Sequence, residues 1–230
     1  MMRGEPARAR TAASEAYHAL SVSGFWYEAP CALTVIAESN AALNTGLPMD
    51  DIERGCEIVQ KTGNVEDRFQ LIATRCFLLI GTLQRQAVRD DLDELFHMFE
   101  TTPCESWRTW YLLLSAMFDF SRKNYKKTTQ SLKLFFDSAQ RNGNLYLLSC
   151  GYTMSAQVNL DVHKRQLGTV SIEKTEKLYL GATALFESIG AWHRVAESLR
   201  RYAEFLDYFH RPEDAMTARA RAQKVDPYEQ

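Results

Sequence analysis

The chain has 230 residues, 46% of them hydrophobic, 24% charged and 11% aromatic. That apolar share can build a packed core and excludes disorder over most of the length, while eleven glycines and six prolines are too few to turn the short strands of a β-sandwich or barrel. Lys plus Arg (27) nearly balances Asp plus Glu (29), so no overall basic field exists to hold nucleic acid by counterion release.

The first twenty residues hold no apolar stretch of signal-peptide length, and Glu5, Pro6 and Glu15 argue against a mitochondrial presequence. No apolar run approaches the ~18 residues of a membrane span. Apolar residues recur instead on steps of three and four. Examples are Phe69, Ile72, Ala73, Cys76, Ile80 and Leu83, and later Val195, Ala196, Leu199, Tyr202, Ala203 and Leu206. The stripes predict helices over roughly 6–20, 30–44, 49–61, 66–85, 89–100, 105–121, 125–141, 144–161, 171–189, 191–210 and 212–225. Pro30 and Pro212 fit first helical turns, and Gly63, Gly143 and Gly190 fall where helices stop. Val162–Val170 reads as a polar or flexible break. Short connections make successive helices antiparallel hairpins.

The hairpins repeat one feature: a large residue four before a small one. It gives Leu33 and Ala37, Phe77 and Gly81, Leu112 and Ala116, Leu147 and Gly151, Leu199 and Ala203. The small residues are spaced by 44, 35, 35 and 52. A step near ~35 is that of two-helix solenoid repeats, and a small residue lets two helices cross closely.

Within this frame, residues 196–227 resemble one tetratricopeptide repeat. Ala196, Leu199, Tyr202 and Ala203 match its first helix, Ala215 and Ala222 its second, and Pro227 its closing proline. His210 stands where the turn usually has glycine, and Arg219 where an aromatic is usual. The resemblance implies a right-handed α-solenoid of about five antiparallel hairpins. It would span residues 30–227, preceded by an N-terminal helix and partly flexible connector (1–29) and followed by a tail (228–230). Residues 174–223 also resemble the terminal repeats of ubiquitin-ligase scaffold subunits of the anaphase-promoting type.

Chemical signatures are sparse. No GxSxG, P-loop, GxGxxG or HExxH occurs, and the five histidines are scattered. Cys31, Cys56, Cys76, Cys104 and Cys150 are odd in number and lack the local pairs of a zinc site. They read as reduced thiols of a cytoplasmic or nuclear protein. No catalytic residue, cofactor or metal is therefore expected. The acids Asp90, Asp91, Asp93 and Glu94 read as charges favoured at a helix N-terminus. Arg219, Arg221 and Lys224 suit a helix C-terminus, and Arg200 and Arg201 suit pairing with Glu197 and Glu204.

Candidate partner-binding residues fall in two sets. The middle of the chain is apolar and aromatic beyond what one buried face needs: Trp107, Trp110, Leu113, Leu114, Met117, Tyr146 and Tyr152. The charged set is Arg122, Lys123, Lys126 and Lys127, suited to an acidic partner segment, with Arg200 and Tyr208 on the last repeat. Phe25-Trp26-Tyr27 adds an apolar stretch that could dock on protein. The family's lysine–asparagine clamp for a peptide carboxylate has no match in the corresponding helices. The expectation is a non-enzymatic protein-interaction scaffold with protein partners, a multi-subunit complex among them, and no direct contact with nucleic acid or membrane. The alternative is a helical-repeat regulator that senses a small ligand or peptide in its groove.

Overall fold

The computed structural model describes residues 5–43, 45–46 and 48–226; the expected tail at 228–230 lies outside the described residues. Among the described residues there are eleven helices and no strand. They are α1 (Pro6–Ser23), α2 (Ala29–Ala42), α3 (Met49–Thr62), α4 (Val65–Leu79), α5 (Arg85–Thr101), α6 (Glu105–Ser121), α7 (Tyr125–Asn142), α8 (Leu145–Lys164), α9 (Ile172–Ser188), α10 (Trp192–Tyr208) and α11 (Pro212–Val225). No helix among the described residues is long and apolar enough to cross a membrane.

Local chemistry explains the boundaries. Asn64, Asn124, Asn144 and Ser171 each accept a backbone N–H from the first turn that follows. Prolines open α1, α2 and α11, where the missing N–H leaves no bond unmade.

Three expectations need correction. The α4 stripe continues in sequence through Leu83, yet the helix ends at Leu79, and Leu83 is 96% exposed. Gly81 adopts φ 93° in the turn that follows, so it is a turn glycine and not a crossing residue. The same large–small pattern stands eight residues earlier, where Phe69, Ile72 and Ala73 are all buried. Next, α5 starts at Arg85, which puts the acids in its second and third turns. Asp91 is buried there and accepts three hydrogen bonds from Arg75 of α4, at 2.5, 3.0 and 3.2 Å. Burial pushes its carboxyl up while Arg75 opposes the shift. Finally, α8 runs to Lys164, so the polar break begins three residues later than expected.

The described residues form two compact units, 5–114 and 115–226, and the boundary falls inside α6. In the N-terminal unit α2 packs on α1, α3 and α4, and α4 packs on α5. One cluster joins Ala13, Ala29, Leu33, Ile36 and Ile58; another joins Ala37, Ile52, Val59 and Leu71. Gly55 of α3 lies so close to α4 that a methyl group there would sit 2.7 Å from Leu71 Cδ2.

In the C-terminal unit each of α8, α9 and α10 packs on the helix before and after it. One cluster draws on α8, α9, α10 and α11: Ala156, Leu160, Tyr179, Ala203, Phe205, Leu206, Ala215 and Ala218. The other joins Phe186, Ala191, Val195, Ala196, Leu199 and Ala222. Gly151 of α8 faces the Phe135 ring of α7, and any β-carbon there would collide with it. Phe135 is fully buried, among side chains that close packing holds in place.

The turns of this unit divide by edge. The α7–α8 and α9–α10 turns place glycine in the left-handed region, Gly143 at φ 64° and Gly190 at φ 69°. The α6–α7, α8–α9 and α10–α11 connections place Lys123, Gln166 and His210 there, at φ 61°, 54° and 58°. A β-carbon in that region costs energy that glycine avoids.

Two predictions follow from this packing. Gly151→Ala should destabilise the protein by about 1–3 kcal/mol through overpacking, despite alanine's better helix propensity. Gln166→Gly and His210→Gly should each stabilise it by about 0.5–1 kcal/mol. Urea unfolding of the three variants measures both effects; a neutral Gly151→Ala would show that the α7–α8 approach is not tight.

Candidate functional site

The aromatic candidates divide between the units, and each set is engaged by its own surroundings. In the N-terminal unit the Trp107 indole stacks on Phe69, with ring centroids 4.7 Å apart and planes 7° from parallel. Trp110 is half-buried, and Leu113 and Leu114 are 3% and 0% exposed. No partner reaches these two leucines without parting the helices. Tyr111 packs between Phe96 and Phe99, at 5.6 and 5.1 Å.

In the C-terminal unit Met117, Tyr146 and Tyr152 are half-buried and Tyr208 is 39% exposed. Tyr152 lies 5.3 Å from the Phe136 ring. The Tyr146 ring meets Phe186 edge-on at 5.8 Å, and its hydroxyl accepts from Arg194 Nε at 3.2 Å. Sequence reading overlooked Arg194. It also pairs with Glu197 at 2.7 Å, and Glu197 accepts from Arg201 at 2.7 Å. The i,i+3 and i,i+4 spacing on α10 was the signal that could have revealed this triad. Burial raises the Glu197 carboxyl, but the two guanidinium groups outweigh it and hold the carboxyl at about 2.

Arg201 thus takes its expected partner, while Arg200 reaches Asp226, which is 3% exposed just beyond α11. The last-helix cations also bind across helices, Arg219 to Asp207 of α10 and Arg221 to Glu187 of α9. These pairs, more than the end of α11, account for their position.

The basic candidates lie at the α6–α7 turn. Arg122 stands over the Phe118 ring at 5.4 Å and Lys123 over Phe120 at 5.1 Å. Lys123 also pairs with Asp161 of α8 at 3.1 Å. Lys126 and Lys127 are exposed in the first turn of α7.

The α1–α2 corner gathers four open apolar residues. Phe25, Trp26 and Tyr27 are 68%, 44% and 56% exposed, and Val22 of α1 is 76% exposed. Gly24, in the left-handed region, ends α1 and turns this segment away from it. Elsewhere, the five cysteines are free thiols, Cys31 exposed and Cys76 buried. Among the described residues no three His, Cys, Asp or Glu side chains converge as a metal site.

No family model matches this chain, and no curated protein matches it significantly.

Burial separates two kinds of tryptophan. Trp107→Ala should cost about 3–5 kcal/mol, because it removes the stack on Phe69, whereas Trp26→Ser should change stability by less than about 0.5 kcal/mol. Chemical denaturation of the two variants compares them directly. Glu197 gives a pH signature. Its folded value of about 2 lies below its ordinary 4.5. Its stabilisation is therefore fully present above about pH 4.5 and is lost as pH falls toward 2. Glu197→Gln should cost about 1–2 kcal/mol at neutral pH, the pair being one-third open to solvent and screened, and the gap to wild type should close on acidification. A gap that persists at low pH would mean that its cause is packing and not charge.

Proposed function

We propose that this chain is a non-enzymatic protein-interaction scaffold that takes up a partner segment or docks within a multi-subunit complex. The observation that carries the reading is the α1–α2 corner. Three consecutive aromatic residues and Val22 stand in solvent within a six-residue span. Monomeric proteins rarely leave such a group uncovered, and aromatic side chains dominate the energetics of protein interfaces.

The repeat reading belongs to the same proposal: a tetratricopeptide-like, right-handed solenoid of about five antiparallel hairpins. Its support lies in the C-terminal unit, where Ala196, Leu199, Ala203, Ala215 and Ala222 are all buried at the positions the resemblance requires. Its two departures, His210 and Arg219, are both exposed. The closing stretch resembles the terminal repeats of ubiquitin-ligase scaffold subunits of the anaphase-promoting type, and this resemblance supports the reading of a cytoplasmic or nuclear protein with protein partners.

The test compares the wild-type chain with the triple variant Phe25→Ser, Trp26→Ser and Tyr27→Ser in cross-linking mass spectrometry. Both should fold alike, because the changed side chains are exposed. Wild type should recover a stoichiometric set of proteins cross-linked near residues 22–27, and the variant should lose that set. Equal recovery by both, or cross-links confined to other regions, contradicts the proposal.

A further inference from the structure

The C-terminal unit gathers cations along one edge, where α6, α8 and α10 end and α7, α9 and α11 begin. The three turns are physically continuous. Asp161 of α8 accepts from Tyr125 at 2.5 Å and pairs with Lys123 at 3.1 Å and Arg165 at 3.2 Å. Lys164 then stands over the Tyr208 ring of α10 at 4.9 Å, and His163 lies 5.1 Å from the Phe209 ring. The edge therefore runs unbroken from Arg122 to His210.

Several of its cations make no salt bridge, although Asp119 stands near enough to Arg122 and Lys127 for both to act on its carboxyl. Among the described residues no acid pairs with Arg122, Lys126, Lys127, Lys164 or Lys174, whereas Arg211 is tied to Glu176 and Asp214. Two of the five, Arg122 and Lys164, rest on aromatic rings, which orient a cation without neutralising it. The backbone makes a separate point. All three connections of this edge hold a side-chain-bearing residue in the left-handed region, where the opposite edge uses glycine. Lys123, Gln166 and His210 are all exposed, so these strained positions present polar side chains to solvent.

We infer that this edge is a docking surface for an acidic polypeptide segment. Cations that are exposed and form no ion pair attract carboxylates and steer their approach. A nucleic-acid backbone fits less well. Asp119, Asp161, Glu173, Asp207, Glu213 and Asp214 are interspersed along the same edge and would repel an unbroken run of phosphates. A peptide can place its acids opposite the cations and leave neutral residues opposite these carboxylates. The inference rests on the interaction-scaffold reading and adds the chemistry of one partner. The two fail separately, because the aromatic corner and this edge belong to different units and a synthetic peptide probes the edge alone.

The experiment titrates the full chain into a short fluorescein-labelled oligoglutamate peptide and follows anisotropy at low and high salt. The edge variant carries Lys126→Glu, Lys127→Glu and Lys164→Glu. The control carries Arg54→Glu, Lys61→Glu and Arg89→Glu, three exposed cations of the other unit with the same change in net charge. Wild type should bind at low salt and release at high salt. The edge variant should weaken binding by about tenfold or more and the control by no more than about twofold. Glutamine replacements at the same three lysines, which add no new repulsion, should give a smaller loss in the same direction. Absence of wild-type binding, equal losses in edge variant and control, or tighter binding of an oligothymidylate of equal charge would each overturn the inference.

Discussion

The closest constraint in this protein is the approach of neighbouring helices at positions where a side chain has been reduced to hydrogen or methyl. Gly151 against Phe135 and Gly55 against Leu71 leave no room for a further carbon. Ala37, Ala156, Ala182, Ala196, Ala203, Ala215 and Ala222 are all 0% exposed. At such crossings the helix axes can come close enough for large residues one turn away, such as Leu147 and Leu199, to be enclosed. Each large apolar side chain so enclosed contributes about 1.5–3 kcal/mol. Larger residues at the crossings would part the helices and expose the rest of the stripe.

Close packing also decides where polar groups go. Polar groups on faces turned toward another helix mostly pair, as with the Thr183 and Ser198 hydroxyls, 2.9 Å apart between α9 and α10. Asp91 follows the same rule through Arg75. Charges without salt-bridge partners are left to surfaces that face water, the helix ends among them. The basic edge of the C-terminal unit is thus the natural site for uncompensated cations, and its strained Lys123, Gln166 and His210 present side chains where glycine would fold more easily. The aromatic corner after α1 is the opposite case: apolar residues that the described helices leave largely open to solvent.

Most helices were legible because a three-to-four residue stripe, bounded by asparagine, proline or glycine, states both the element and its ends. The failures are equally physical. The α4 stripe runs past its helix because Leu83 continues the period by coincidence; a stripe records spacing but not whether the partner surface is still present. Gly81 imitated a crossing residue because glycine serves both close approach and positive φ, and only the backbone tells the two apart. Asp91 was grouped with its acidic neighbours by sequence proximity, although its partner lies sixteen residues back on α4. Leu113 and Leu114 passed as groove candidates because an all-round apolar helix looks the same whether a partner or its own chain covers it. Arg194 went unnoticed because Tyr146 and Cys150, its neighbours on α8, lie on another helix.

Most of the large apolar side chains are buried against one another, and the α1–α2 corner is a run of three consecutive aromatics left exposed. Hydroxyl-radical footprinting of the free protein tests that division most directly, because oxidation of an aromatic ring requires solvent contact. Phe25, Trp26 and Tyr27 should oxidise rapidly, while Phe69, Phe135, Tyr179 and Phe205, each at most 2% exposed, should be protected. Rapid oxidation of the second group, or protection of the first, would contradict the account.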